Sequence, residues 1–495
     1  MLTTVAKKCR RVALFTAIVA AVSGCRTNKD ILDDYERSTV AGDYAAPIAE
    51  IEEKAEAGGV DELMWRLHAG GSRYLLGDHD RTVFQFDKAE DAFADFDANG
   101  VFGRAADTTL AIMTNDRALP FAGNGGDRVF TCLYKAIDFA AVGDFAAVRT
   151  ELNRAAQHQD NWLFERRKEI GEVEKKLHDD ANAYAKKENS RSGGGDADKA
   201  EAAADKAMTD AAFGVMIKEK CGFDPSVDGN LEVLSRKDWL NIYAEHVTGV
   251  FRWLQGEEDA KIYLREASEI KGDNAMLRRD DREARSGVKP TDQVWIYIED
   301  GLCPIREEWR LDLPLVFIPY ANRFVMYAGM ALPYLRYRGC GLPGYKVGVE
   351  GSSFRFEQLE DVDRLSKNEF DVYFRGALAR EITRTIVKAG VQAGLGIGVE
   401  AANDDNVKLG LRLAQISAAS YAASVTQADL RSWTGLPKKV YAARIDRPAD
   451  GKIIVSGLAN EPVAEMIVPA GNSMIFIRKP SASAPAVVKA ATFKY

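Results

Sequence analysis

Five histidines, three close carboxylate pairs, six cysteines and one glycine-rich run are the residues whose types could carry chemistry in this chain. Histidine is the side chain that exchanges a proton near neutral pH and the commonest ligand of transition metals. His68, His79, His158, His178 and His246 all precede residue 282, so no histidine-based triad or zinc site can be built from the residues beyond it. Neither the two-histidine helix of zinc proteases nor a Cys-x-x-Cys pair occurs. Paired carboxylates can cleave a glycosidic bond by acid and base catalysis, and Glu299/Asp300, Glu307/Glu308 and Asp361/Asp363 qualify by identity. Adjacent residues on a strand face opposite sides, which weakens the first two pairs, and among 74 acids such adjacency arises by chance. Gly394-Leu395-Gly396-Ile397-Gly398 lacks the preceding strand and the later acidic residue of a dinucleotide loop, and reads as a flexible helix junction. No phosphate-binding loop or Gly-x-Ser-x-Gly elbow is present. The sequence thus predicts no catalytic, cofactor-binding or metal-binding residue.

One cysteine carries a different chemistry. Lys7, Lys8, Arg10 and Arg11 precede the uncharged run Val12 to Val22, which is too short for a stable membrane span and reads as a signal peptide over residues 1–24. Val22-Ser23-Gly24-Cys25 follows and resembles the lipobox of bacterial lipoproteins, in which small residues admit the peptidase and the cysteine thiol takes a diacylglycerol. Several buried acyl chains, at about 0.8 kcal/mol per CH₂, make such an anchor effectively permanent. Arg26 stands where, by the lipoprotein analogy, an aspartate favours retention in the inner membrane, so the expected location is the periplasmic face of the outer membrane. In that oxidising space Cys303 and Cys340 are the expected disulfide pair among the four remaining cysteines; four buried free thiols are the other reading.

The chain has 495 residues, 46% of them hydrophobic and 28% charged, which excludes collagen-like, disordered and multi-span membrane classes. Its net charge is −8, and loss of the signal segment takes it to 62 minus 74, or −12. Such a field disfavours nucleic acid and anionic membrane as partners.

The elements that position any site follow from an internal phrase. Gly42-Asp43, Gly77-Asp78 and Gly143-Asp144 are each followed by small and apolar residues at steps of four and three, and Gly256 heads a looser copy. Glycine spacings of 35 and 66 residues match one and two units of a repeat of about 34, each unit a helical hairpin turning at Gly-Asp. This resembles the tetratricopeptide repeat, with Pro47 and Thr82 in the small-residue place. Ala118 to Asp127 reads as a loop, and Trp162 to Lys187 as a long charged helix that opens a hairpin spanning roughly 162–215.

After residue 282 the texture changes to strands, first Val294 to Ile298, then Trp309 to Pro319, Tyr345 to Val349, Phe354 to Leu359, Lys452 to Ser456 and Ser473 to Arg478. Helices are predicted over Phe370 to Gln392 and Asn406 to Val425. The expected class is α+β, with a helical domain over 25–282 and an α+β domain over 283–495. Arg431 and Trp433 have the composition of a partner hot spot; a tryptophan plugging the core is the other reading.

Tyr134 with Gly143-Asp144, Asn241-Ile242-Tyr243 before Gly256, Glu299 to Pro304, Leu311 to Pro314 and Asp429 to Pro437 together resemble a family of poorly characterised envelope lipoproteins with a tetratricopeptide-like N-terminal half. Ile242 and Cys303 depart from that pattern, where proline or another small residue is expected. Members are sometimes encoded beside lipoproteins thought to activate penicillin-binding proteins, so the resemblance implies work on the cell envelope or peptidoglycan. The expected function is a non-catalytic scaffold whose stacked hairpins bind envelope proteins or peptidoglycan. Two alternatives stay open: a carboxylate-dependent glycan or peptidoglycan hydrolase, and a structural subunit of a secretion or surface complex.

Overall fold

The computed structural model describes residues 27–99, 115–192, 210–312, 325, 328–349 and 351–494. The signal segment, Cys25, most of the tip of the hairpin expected near 162–215, and the later part of the strand expected at 309–319 lie outside the described residues.

Helices occupy the first half. α1 (Asn28–Ala41) opens on a reciprocal cap in which Thr27 accepts the Asp30 N–H and Asp30 accepts the Thr27 N–H. It is followed by α2 (Ile48–Ala57), α3 (Glu62–Leu76), α4 (His79–Asn99), α5 (Gly125–Val142) and α6 (Phe145–Ser192). After these come α7 (Ala211–Cys221), the short α8 (Arg236–Trp239), α9 (Ile242–Leu254), α10 (Ala260–Ile270) and α11 (Ala275–Arg285). The Gly-Asp phrase has a direct structural cause. Gly42, Gly77, Gly143 and Gly256 all take positive φ, between 72° and 85°, the left-handed conformation that ends a helix at little cost only for glycine. Asp43, Asp78 and Asp144 then each turn a side-chain oxygen to the N–H three residues on, at 3.2, 3.3 and 3.0 Å; Asp78 and Asp144 so start the next helix, whereas Asp43 shapes the turn ahead of the helix that begins at Ile48. α3 with α4, α5 with α6 and α9 with α10 pack as consecutive helix pairs around these turns.

Three expectations about this half need correction. A turn of 3-10 helix at Asp116–Ala118 and the start of α5 at Gly125 flank most of the expected loop, because Asn124 and Asp127 form a reciprocal cap there. The long charged helix begins at Phe145 rather than Trp162. α7 buries Phe213 and Ile217 in a cluster with Phe370, Phe374 and Met330 of the second half.

The second half contains strands and two helices, so the class is α+β. The strands are β1 (Gln293–Asp300), β2 (Ile305–Asp312), β3 (Gly329–Arg336), β4 (Tyr345–Val349), β5 (Ser352–Arg355) and β6 (Glu357–Asp361), then β7 (Lys439–Asp446), β8 (Lys452–Gly457), β9 (Pro462–Ile467), β10 (Asn472–Lys479) and β11 (Val487–Phe493). The helices are α12 (Val362–Ala401) and α13 (Asp405–Val425). The main sheet runs β11-β10-β1-β7-β6, with β1 and β10 parallel; β5-β4-β8-β9 form a second sheet and β2-β3 a hairpin. The glycine run 394–398 lies inside α12 and is no junction. Leu409, Leu413 and Ile416 of α13 are half or more exposed, at 58%, 56% and 50%.

β1 is buried along its whole length, and its side chains divide between two cores. Trp295 and Tyr297 face the helices, whereas Val294, Ile296 and Ile298 pack with Tyr345, Val347, Ile453 and Val455 of the second sheet. β10 divides likewise, Met474 and Phe476 against Ile475 and Ile477. The period-two alternation of a strand makes this division unavoidable once both faces are covered. The helical core therefore continues through the boundary expected at 282/283: α11 runs on to Arg285, and one cluster includes residues from Ile31 to Phe493. Phe493 stacks on Phe145 with ring centroids 4.8 Å apart and meets Phe251 edge-on at 6.0 Å. Tyr243 lies 5.5 Å from Tyr297, and Trp253 6.0 Å from Trp295. The inner aromatic face of the helix pairs, expected as a partner groove, is covered by the chain's own sheet.

The Cys303–Cys340 disulfide is not formed. Cys303 is buried beneath the Trp433 carbonyl, 3.5 Å away, while Cys340 is exposed; Cys132 and Cys221 are buried free thiols.

Phe493→Ala removes an aromatic clamp shared by both halves and is expected to cost about 3–5 kcal/mol. Urea unfolding followed by helical circular dichroism and by tryptophan fluorescence should shift in one coincident transition; a loss confined to one probe would refute the shared core.

Candidate functional site

The residues singled out by identity are spent on structure. Glu299 accepts hydrogen bonds from Tyr134 (3.1 Å) and Tyr243 (2.8 Å), and burial pushes its carboxyl up. Asp300, on the opposite face of β1, accepts the Gly341 and Leu342 N–H groups and the Tyr345 hydroxyl. Glu307 takes Tyr334 and Arg336, and Glu308 takes Arg310 and the Ala428 N–H. Asp361 caps α12 and Asp363 pairs with Lys438.

His246 makes an arrangement that looks catalytic: its Nε2 lies 2.8 Å from Asp280 and its Nδ1 3.1 Å from the Tyr297 hydroxyl. All three are completely buried, and Asp280 also accepts bonds from Trp295 and Arg444. With no cavity lined by the three among those found, this is a brace between α9, α11 and the main sheet. Burial holds His68 down to about 4, where it stays neutral between the Met64 carbonyl and Thr434. His79 meets Phe139 edge-on and bonds Asp138 at 2.8 Å. Glu90, Cys132 and Glu151 lie close enough together to ligate a cation. Lys135 already sits among them, 3.0 Å from each carboxylate, and burial with nearby Glu90 and Glu151 keeps the Cys132 thiol protonated.

The expected partner contact at Arg431 and Trp433 is also corrected, since they are 5% and 2% exposed. Arg431 grips Asp429 with two bonds of 2.8 Å and reaches Asp61 and the carbonyls of Val60, Asp116 and Leu119. Trp433 packs edge-on against Phe86 and Tyr134. An arginine with that many carbonyl and carboxylate partners ties loops together and presents nothing to a neighbour.

What remains is a cleft of about 520 Å³ between α1, the β2-β3 hairpin and the segment 427–434. Its wall begins at Thr27, two residues after Cys25. Six basic side chains (Lys29, Arg117, Arg306, Arg310, Arg336, Arg431) and four acidic ones (Asp33, Glu36, Glu307, Glu308) line it, a local excess of positive charge on an acidic protein. Lys29 pairs with Asp33, Arg310 with Glu308, and Arg336 with Glu307, each at 2.5–2.6 Å. Arg117 hydrogen-bonds the Gln427 amide oxygen at 3.2 Å.

Beneath the cleft lie two smaller cavities of about 70 and 40 Å³, and Arg306 lines all three. The smallest holds two buried carboxyls, Asp127 and Glu369. Burial pushes Asp127 up to about 7, and burial likewise raises Glu369, which accepts the Gly126 N–H and the Trp162 indole N–H. A space of that size admits a water or two and no sugar ring. Comparison with protein-family models, curated proteins and solved structures finds no match for this chain.

The sequence did not point to this cleft. Its walls come mainly from residues 27–36, 305–310 with Arg336, and 427–434, which lie far apart in the sequence, and nothing there marks them as neighbours.

Because the folded chain holds the Asp127 proton more tightly than the unfolded chain does, its contribution to stability falls as pH rises from about 4 to about 7 and is flat above. Asp127→Asn keeps an acceptor for the Asn124 N–H and removes the charge. Relative to the parent it should gain on the order of 1–3 kcal/mol above about pH 7 and little near pH 4. Urea midpoints at the two ends test this, and a difference independent of pH would refute it.

Proposed function

We propose that this chain is a bacterial envelope lipoprotein that acts by binding. In this reading the lipid on Cys25 holds it at the periplasmic face of the outer membrane, and tetratricopeptide-like helix pairs serve as the frame. The cleft beside α1 is its binding surface. The observation that carries the proposal is the position of that cleft: a concavity of about 520 Å³ opens at the first described residues after the lipobox cysteine. A concave site of roughly 300–1,000 Å³ with convergent polar groups suits a small ligand or a short segment of a partner. Envelope proteins and peptidoglycan fit both that size and the compartment implied by the signal segment, and the resemblance to the envelope lipoprotein family adds to it.

His68, His246, Glu299 and Asp300 are engaged in buried braces, and Glu307 and Glu308 on the cleft wall are held in ion pairs with Arg336 and Arg310, which favours binding over hydrolysis. No helix among the described residues is long and apolar enough to cross a membrane, which agrees with attachment by lipid.

A Cys25→Ser variant is expected to lose labelling by a clickable fatty acid and to leave the membrane fraction. A photo-crosslinking residue at Lys29 or Arg117 on the cleft rim should capture an envelope protein or a peptidoglycan fragment, and one at exposed Ile467 on β9 should not. Retained labelling defeats the anchor; equal capture at both positions defeats the cleft.

A further inference from the structure

Arg306 stands apart from the other buried arginines around it. It is 8% exposed, yet among the described residues its guanidinium makes no ion pair and no side-chain hydrogen bond. Other buried arginines of the same region are held by carboxylates: Arg380 and Arg384 by Asp116, Arg431 by Asp429. A buried guanidinium whose N–H donors meet no acceptor is costly, so those donors call for one.

Three acids act on Arg306 through space, Asp127, Glu369 and Asp429, yet none of them is in hydrogen-bonding contact with its guanidinium. Its guanidinium carbon lies 4.4 Å from the ring centre of Tyr373 and 5.8 Å from that of Phe370, both on α12. The nearest acids are committed elsewhere: Asp429 to Arg431, Glu369 to Gly126 and Trp162, Asp127 to the Asn124 N–H. The rings hold the guanidinium carbon in place, no side chain among the described residues accepts from the fork of N–H donors around it, and Arg306 forms part of the cleft wall. That fork matches the two oxygens of a carboxylate or phosphate.

We propose that Arg306 is an anion-binding residue, and that the cleft takes a ligand with a terminal carboxylate or phosphate whose oxygens pair with the guanidinium while the rest lies toward Lys29 and Arg117. This deepens the reading of the cleft as the binding surface and rests on it. The flanking ion pairs of Arg310 with Glu308 and Arg336 with Glu307 leave the anionic end of the ligand directed to Arg306.

The test uses the full lipidated chain in detergent and three probes followed by calorimetry: inorganic phosphate, an N-acetylated dipeptide with a free C-terminal carboxylate beside its C-terminal amide, and phosphatidylglycerol vesicles. At least one anion should bind; a response to the dipeptide assigns carboxylate, to phosphate alone a free phosphate, to vesicles alone a lipid headgroup. Arg306→Met should weaken binding by about tenfold or more, and Arg306→Lys, which keeps charge but loses the fork, by less. Should Arg306→Met fail to fold, a selenate soak of parent crystals decides: anomalous density within hydrogen-bond distance of Arg306 supports the assignment, and its absence there overturns it. Undiminished binding by folded Arg306→Met, or no binding of any probe, also overturns it, and crosslinking from the cleft rim would stand unaffected.

Discussion

The structure turns on one constraint: β1 and β10 are apolar on both faces, so each face needs a cover. The helix pairs cover one and the β5-β4-β8-β9 sheet the other. Desolvating Trp295, Tyr297 and Phe476 on the helical side supplies much of the hydrophobic driving force, at about 25 cal/mol per Å² of apolar surface. It also fixes what the helices cannot do. Helix pairs whose inner aromatic face is closed by Phe493, Tyr297 and Trp433 leave no groove on that face among the described residues, and the cleft lies at the margin, where α1 meets the β2-β3 hairpin.

The same closure governs the polar residues. Glu299 enters the core only because two tyrosine hydroxyls and nearby Arg478 meet it, and Asp280 because His246, Trp295 and Arg444 converge on it. Such networks rigidify a core and specify one arrangement of it. A proton relay could be drawn through Tyr297, His246 and Asp280 on paper, but its geometry lies where no substrate reaches. Burial and access separate an active site from a brace, and only the folded chain displays either.

Much of the architecture was legible in the sequence. The Gly-Asp phrase announced helix-turn-helix units because one residue supplies positive φ and the next supplies a cap, both local requirements. Val294 to Ile298 announced a strand because β-branched and aromatic residues run through it unbroken. β3, β7, β9 and β11 were missed: β9 and β11 are half-exposed with mixed composition, and β3 and β7 contain small residues, Pro333 or charges that dilute the strand signal. Arg431 and Trp433 suggested a surface through their types, whereas burial is set by Asp61, Phe86 and Tyr134, hundreds of residues away. The cleft and unpaired Arg306 stayed invisible for the same reason, since Arg306 differs from its neighbours only in what fails to reach it.

The turn at Gly42 joins the two ends of the chain. Tyr44 donates to the Pro485 carbonyl at 3.1 Å and Ser481 to the Val40 carbonyl at 2.7 Å, so the far end of α1 is fastened to the segment leading into β11, while Asn28 near its start is bonded to Asp61 at 2.7 Å. A pull arriving from the N-terminus is thus loaded along the axis of α1 and spread into both the helical layer and the central sheet. The first helix works as a tie rod, and the cleft borders it along the same line.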